Sequence, residues 1–335
     1  MKFLLALLPL PLLGQTDLKP EPASIVSFPT EEGSFYQVEA RKGESWHAVG
    51  EPLKGTGGKV TRTLPVAPDG KFRLTQLREQ WVPVWKDEFN GTEIDRSKWA
   101  NVEDGYGGGN NELQFYSTSP KYSFLKEGNL NICVYRDAHT TTDGKTQPYS
   151  SARLRSMYRG EWTYARIEIR AKLPSGEGIW PAIWMLPTNS PYGGWAAGGE
   201  IDIVESRGSE VDRTIGTLHF GDQWPKNAYK GGNTRFTGKN AAEDFHVYAI
   251  EWKRDEISWF LDGKKWQTLK KEEWFSAAAK KSDTAPFDQP FHLIFNLAVG
   301  GHFFADTKQD PKNEPDSNFP QTMLIDYVRV SQWAK

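Results

Sequence analysis

The chain has 335 residues, 38% of them hydrophobic, and a formal net charge of −2 at pH 7. That length supports one large core and a small one, and the balanced charge gives no reason to invoke nucleic acid or an anionic membrane as a partner. Aromatic residues make up 13%, with 14 Trp, an excess that fits core packing or platforms for sugar faces equally well.

Residues 1–15 read as a signal peptide. Lys2 supplies the positive start, Phe3 to Leu13 form an apolar run too short to span a bilayer, and Pro9 and Pro11 oppose a spanning helix. Leu12 stands where a small residue suits cleavage, and the mature chain is expected to begin near Gln15 or Thr16. Export, extracellular or periplasmic, is the expectation. Residues 17–30 carry three prolines and read as a linker or extended lead-in. Short alternating runs from Ser34 to Leu77, separated by K-G-E, K-G-T-G-G and P-D-G, then predict a small antiparallel β module of four or five strands within residues 16–78. Trp46 is expected in its core, with Tyr36 and Trp46 as sugar platforms the alternative.

From residue 79 to 335 strand-like runs recur about every ten residues between Gly, Asn, Asp and Pro, the habit of a β-sandwich. The single cysteine, Cys133, lies in the alternating run L-N-I-C-V-Y and is expected to be a buried small hydrophobe. Residues 257–269 predict a hairpin with Asp262-Gly263 at its turn. Only K-E-E-W-F-S-A-A-A-K-K at 271–281 looks helical. No H-E-x-x-H, EF-hand or Cys/His spacing points to a catalytic metal.

The chemistry concentrates in G-G-E-I-D-I-V-E-S-R-G at 198–208. Glu200 and Asp202 share one face of a strand. Glu205 lies at an odd spacing from Glu200, and a β-bulge between Asp202 and Glu205 returns it to that face. The two Glu Cα atoms then stand roughly 13 Å apart at ~3.3 Å per residue. Side chains leaning together approach the ~5–5.5 Å carboxyl gap of a retaining glycosidase. Acid-rich strands are ordinarily solvated outer faces. Three acids on one face repel one another, however, and close carboxylates divide into a proton holder and a charged partner.

E-I-D-I-V-E resembles the signature of the family 16 glycoside hydrolases in its bulged form. Further matches follow in family order: W-K-D-E-F-N-G at 85–91, N-N-E-L-Q-F-Y at 110–116, S-A-R-L at 151–154, G-I-W-P-A-I-W-M-L at 178–186, Y-G-G-W at 192–195, G-T-L-H-F-G at 216–221, F-N-L-A-V-G-G at 295–301 and D-Y-V-R-V at 326–330. Y-G-G-W and L-H-F-G-D-Q-W-P look most like the bacterial laminarinases, which are endo-1,3-β-glucanases.

The resemblance implies an all-β fold, an antiparallel jelly roll with a substrate cleft on its concave face. It implies Glu200 as nucleophile, Glu205 as acid/base and Asp202 as a tuning residue between them. Trp180 and Trp184, four residues apart on one strand face, are expected in the cleft wall. Trp195 is a stacking residue in a Gly-rich loop, and Trp224 lies on the leaving-group side. His219 is expected beside the acid/base, and Asn110, Arg153 and Asn296 at sugar hydroxyls. Catalysis needs no cofactor. A structural calcium is implied at Glu88, the Gly128 carbonyl and Asp326. The partner is a β-glucan polysaccharide, and a monomer is the default. The alternatives are a mixed-linkage 1,3-1,4-β-glucan or marine galactan hydrolase of the same family, and a non-catalytic β-glucan-recognition protein, a class that typically loses these acids.

Overall fold

The computed structural model describes residues 23–335; the proposed signal peptide lies outside them. The chain divides into two compact units between Arg78 and Glu79.

In the smaller unit the strand Phe35–Lys42 is paired on one side by Phe72–Leu77 and on the other by Leu53–Lys54 and Ser45–Ala48 in succession. Ala23–Pro29 and Lys59–Pro65 form a separate antiparallel pair. Residues 23–29, read from their prolines as a lead-in, are thus a strand, whose alternation S-I-V-S-F turns Val26 and Phe28 toward the small core. Tyr36, Val38, Leu53, Val60 and Leu64 make up that core. The aromatic expectations change places here. Tyr36 is buried, so it offers no platform, whereas Trp46 is only half-buried, with the Arg73 guanidinium 4.7 Å from its ring centre.

The larger unit is built on two eight-stranded sheets. One runs in the order 227–235, 213–221, 200–205, 179–187, 291–299, 153–155, 100–102, with 161–162 also paired to 291–299. The other runs 123–126, 129–134, 321–334, 166–172, 246–252, 256–261, 264–270, with 80–87 also paired to 321–334. Pairing in both is antiparallel; a short parallel pair, Gln114–Tyr116 with Tyr149–Ser151, lies outside them. Ile183, Ile201, Phe295 and Leu297 from the first sheet share one core with Ile167, Ile250, Trp252 and Val328 from the second. A strand with one face in that core must alternate, and this frees the other face of the first sheet for polar side chains. The all-β antiparallel sandwich is as the sequence predicts.

Cys133 is 3% exposed within Asn129–Val134. The predicted hairpin forms, with Asp262 at φ 49° and Gly263 at φ 77°, the paired positive angles a two-residue turn of this hand requires. The predicted helix does not. Only Lys271–Glu273 make a single 3-10 turn, because the next residues are engaged elsewhere. Trp274 is buried against Phe287, and Gly221 hydrogen-bonds through its backbone to both Phe275 and Ala277. Backbone groups bonded to a neighbouring strand are withdrawn from a helix.

Candidate active site

The strand Glu200–Glu205 lies between 179–187 and 213–221 in the middle of the first sheet. Gly199 leads into it at φ 88°, where an added Cβ would stand 3.0–3.1 Å from Pro286, Phe287 and Phe291. Asp202 is opposite Thr217, but Glu205 is opposite Ile215, so three steps on one strand match two on the other. The other neighbour shows the same slip, Ile183 facing Val204 and Trp184 facing Asp202. This is the expected bulge. It leaves Ile201 and Val204 in the core and turns Glu200, Asp202 and Glu205 to the outer face.

Each outer acid has an indole donor. Trp195 Nε1 donates to Glu200 Oε2 at 2.9 Å, and Trp180 Nε1 to Glu205 Oε1 at 3.0 Å. Asp202 lies between them, 3% exposed, with its Oδ2 unbonded. Among the described residues no lysine or arginine forms an ion pair with any of the three. Burial, first of all, pushes each carboxyl up to about 8. For Glu200 and Glu205 the Asp202 charge adds to this. At Glu200 the nearby His219 and the Trp195 N–H pull the other way. The three carboxyls therefore titrate as one coupled unit above the ordinary carboxylate range, so that one can be charged while a neighbour holds its proton.

His219 differs from expectation. It is the cross-strand partner of Glu200, and its Nε2 is 3.6 Å from Glu200 Oε1 and 3.3 Å from Asp202 Oδ2. The register of 200–205 on 213–221 thus puts the imidazole beside the first acid, not beside Glu205.

The remaining expected residues spread along the same face. Trp184 Nε1 donates to Asn296 Oδ1 at 2.7 Å. Arg153 is the cross-strand partner of Asn296, with its guanidinium 4.3 Å from the Tyr116 ring centre and 5.6 Å from that of Trp184. Glu112 and Asp104 balance its charge at 3.8 and 3.9 Å. Asn110 is half-buried in the Gly-rich loop before Glu112, and its carbonyl accepts the His302 N–H at 2.7 Å. Trp195 is 43% and Trp224 72% exposed, and the Trp224 N–H donates to the Trp195 carbonyl at 3.0 Å. Trp224 therefore belongs to the Trp195 end of the acidic line.

Three neighbours escaped the sequence reading. Phe303 lies parallel to Trp180 with ring centres 4.3 Å apart, and Arg207 sits 5.0 Å from the Phe303 ring centre while donating to its carbonyl at 2.8 Å. Tyr229, 72% exposed, is the cross-strand partner of His219. The position of Phe303 just after V-G-G was a usable signal; Tyr229 and Arg207 had none.

The two carboxylates of the expected calcium set, Glu88 and Asp326, do not fit a cation beside the Gly128 carbonyl. Arg329 grips the Glu88 carboxylate at 2.9 and 2.8 Å, holding it below the usual carboxylate range, and Arg170 donates to Asp326 at 2.6 Å. Among the described residues no three His, Cys, Asp or Glu side chains gather at that place. Oxygens already neutralised by arginine do not form a calcium donor set, and no chemistry is routed through one.

Comparison with known proteins decides the family. The family model for glycosyl hydrolases family 16 matches residues 111–333. The chain belongs to glycoside hydrolase family 16. A glucan endo-1,3-β-glucosidase A1 from Niallia circulans is 44% identical over 260 residues, covering 74% of this chain; the match spans only 37% of that protein's length. A β-glucanase from Rhodothermus marinus is 41% identical over 76% of this chain and 86% of its own. The laminarinase catalytic domain from Thermotoga petrophila RKU-1 superposes with a TM-score of 0.67 at 36% identity, covering 77% of this chain and all of that one. As a family 16 member the protein is a glycoside hydrolase.

Proposed function

We propose that this family 16 enzyme is a secreted, retaining endo-1,3-β-glucanase of the laminarinase kind. The observation that carries the mechanism is the bulged strand, which brings two glutamates to one face with an indole donor on each and a buried aspartate between them. The substrate class is supported by the glucan-acting relatives, and export by the Met1–Gly14 pattern.

Glu200 offers Oε1, the oxygen not held by Trp195, to the anomeric carbon, and a glycosyl-enzyme ester forms as the glycosidic bond breaks. Glu205, kept protonated by burial and by the Asp202 charge, gives its proton to the departing oxygen. With Trp180 occupying Oε1, that proton resides on Oε2. The Glu205 carboxylate then removes a proton from water, which attacks the ester and restores Glu200. Exposed Trp195, Trp224 and Tyr229 form an aromatic margin suited to sugar faces.

The test is release of reducing sugar from laminarin, mixed-linkage β-glucan, agarose, carrageenan and xyloglucan, with Glu200→Gln as blank and proton NMR reading the first anomer formed. Fast release from laminarin with the β-anomer first supports the proposal. Activity confined to mixed-linkage glucan or a galactan replaces the substrate and keeps the mechanism. Tight laminarin binding without turnover makes the protein a recognition module, a reading that retention of all three acids disfavours.

A further inference from the structure

Glu200, Asp202 and His219 each place one potential ligand atom within 4.8 Å of the other two. His219 Nε2 stands 3.3 Å from Asp202 Oδ2 and 3.6 Å from Glu200 Oε1, beyond the ~2.7–3.2 Å of an N–H···O hydrogen bond. Asp202 Oδ2 has no hydrogen-bond partner, although the residue is 97% buried. An unsatisfied buried carboxylate oxygen is costly, and this one faces an imidazole nitrogen too distant to satisfy it.

A tetrahedral ion with bonds of about 2.0–2.2 Å has ligand–ligand edges of roughly 3.3–3.6 Å. Both imidazole–carboxylate edges fall in that range. We propose that Glu200, Asp202 and His219 form a binding site for a divalent transition metal of zinc's class, its fourth position open to the cleft, and that occupancy inhibits the enzyme. Binding itself does not depend on the glucanase reading; the inhibition does, since it follows from the metal taking the nucleophile's electron pair.

The donor set selects the ion. An imidazole nitrogen with two carboxylate oxygens suits zinc or copper, whereas calcium and magnesium prefer oxygen alone. Two paired strands supply all three ligands, Glu200 and Asp202 by alternation along one and His219 by register from the next. Trp195 orients Glu200 by holding Oε2, which leaves Oε1 for the metal. A dication also neutralises the two carboxylate charges that burial disfavours. His219 Nδ1, by contrast, is buried without an acceptor. A missing outer partner of this kind typically weakens metal affinity about 10–100-fold, so the ion is exchangeable and acts as an inhibitor.

Calorimetric titration of the full chain with zinc chloride tests this, with His219→Ala and Asp202→Asn as separate variants, His302→Asn as a distant control, and thermal melts to establish folding. One zinc per chain is expected, at least tenfold weaker in either site variant and unchanged in the control. Cobalt added to the unaltered protein is expected to give the intense visible absorption of a tetrahedral ion, bleached by zinc. Absence of both zinc heat and cobalt absorption overturns the site, as does zinc affinity that survives both substitutions. Zinc that binds at these residues without slowing laminarin hydrolysis overturns the inhibition. If the protein binds zinc here but never hydrolyses a glucan, the metal site stands and the proposed function falls.

Discussion

Glu39 in the small unit and Glu205 in the large one are both strand glutamates, and their surroundings drive them in opposite directions. Glu39 lies opposite Arg73, accepts hydrogen bonds from Arg73 and Thr75, and is held below the usual carboxylate range, chiefly by the Arg73 bond. Glu205 has an indole N–H and two other acids for company and is pushed up to about 8. The first arrangement stabilises a charge at the surface; the second keeps a proton available inside a face. A carboxylate on a strand becomes chemically useful here because, among the described residues, no lysine or arginine is paired with it.

The largest effect expected from breaking this difference is at the acids. Glu200→Gln or Glu205→Gln should lower kcat on a polymeric glucan by roughly 10³-fold or more, measured as reducing-sugar release, with the melting profile of a folded protein retained. Substantial hydrolysis by either variant would sink the assignment.

Stability against pH should separate the two environments next. The buried acids have folded pKa values raised above their ordinary 3.8 and 4.5. The folded state then holds more protons than the unfolded one between about pH 4 and 8, so stability is fully present below that window and falls as pH rises through it. Calorimetric melting of the wild type should lose on the order of 5 °C from pH 6 to 9. Asp202→Asn should flatten that slope, and a slope identical in both proteins would remove the buried-charge argument.

Smaller effects are expected from the supports of Glu205. Its bond from Trp180 favours the charged form. Trp180→Phe keeps the stack on Phe303 but removes the N–H, so the alkaline limb of kcat/KM should move upward from about 8. Phe303→Ala leaves the N–H but frees the indole, and is expected to lower kcat about tenfold with little change in KM. A raised KM with kcat unchanged would make Phe303 a sugar contact instead. Smallest of all, Arg73→Ala should cost at most about 1 kcal/mol, the ordinary range of an exposed ion pair, and leave the pH–rate profile unchanged.

Much of the large unit was legible because its signals are local. Alternation identified the strands, Asp262-Gly263 identified a turn needing two positive φ angles, and the odd spacing of Glu205 required a bulge. The helix expected at 271–281 failed because Trp274 is claimed by the core and residues 275–277 by Gly221. The lead-in at 23–29 failed because prolines at strand ends were read as breaking a strand they only border. His219 was placed correctly on a strand but beside the wrong acid, since register is a property of two strands together.

The sequence by itself determined which residues alternate, where the chain turns, and that three acids share one face, all of which follow from backbone geometry over a few residues. Only the tertiary structure decided their company. The Trp180 indole on Glu205, the imidazole between Glu200 and Asp202, the Phe303–Arg207 support behind Trp180 and the arginines that occupy Glu88 and Asp326 come from other chain segments, and even Trp195, five residues before Glu200, reaches it only through the path of its loop. Whether a carboxylate is charged, protonated or ready for a metal depends on those distant neighbours, because burial and Coulomb interactions act through space and not along the chain.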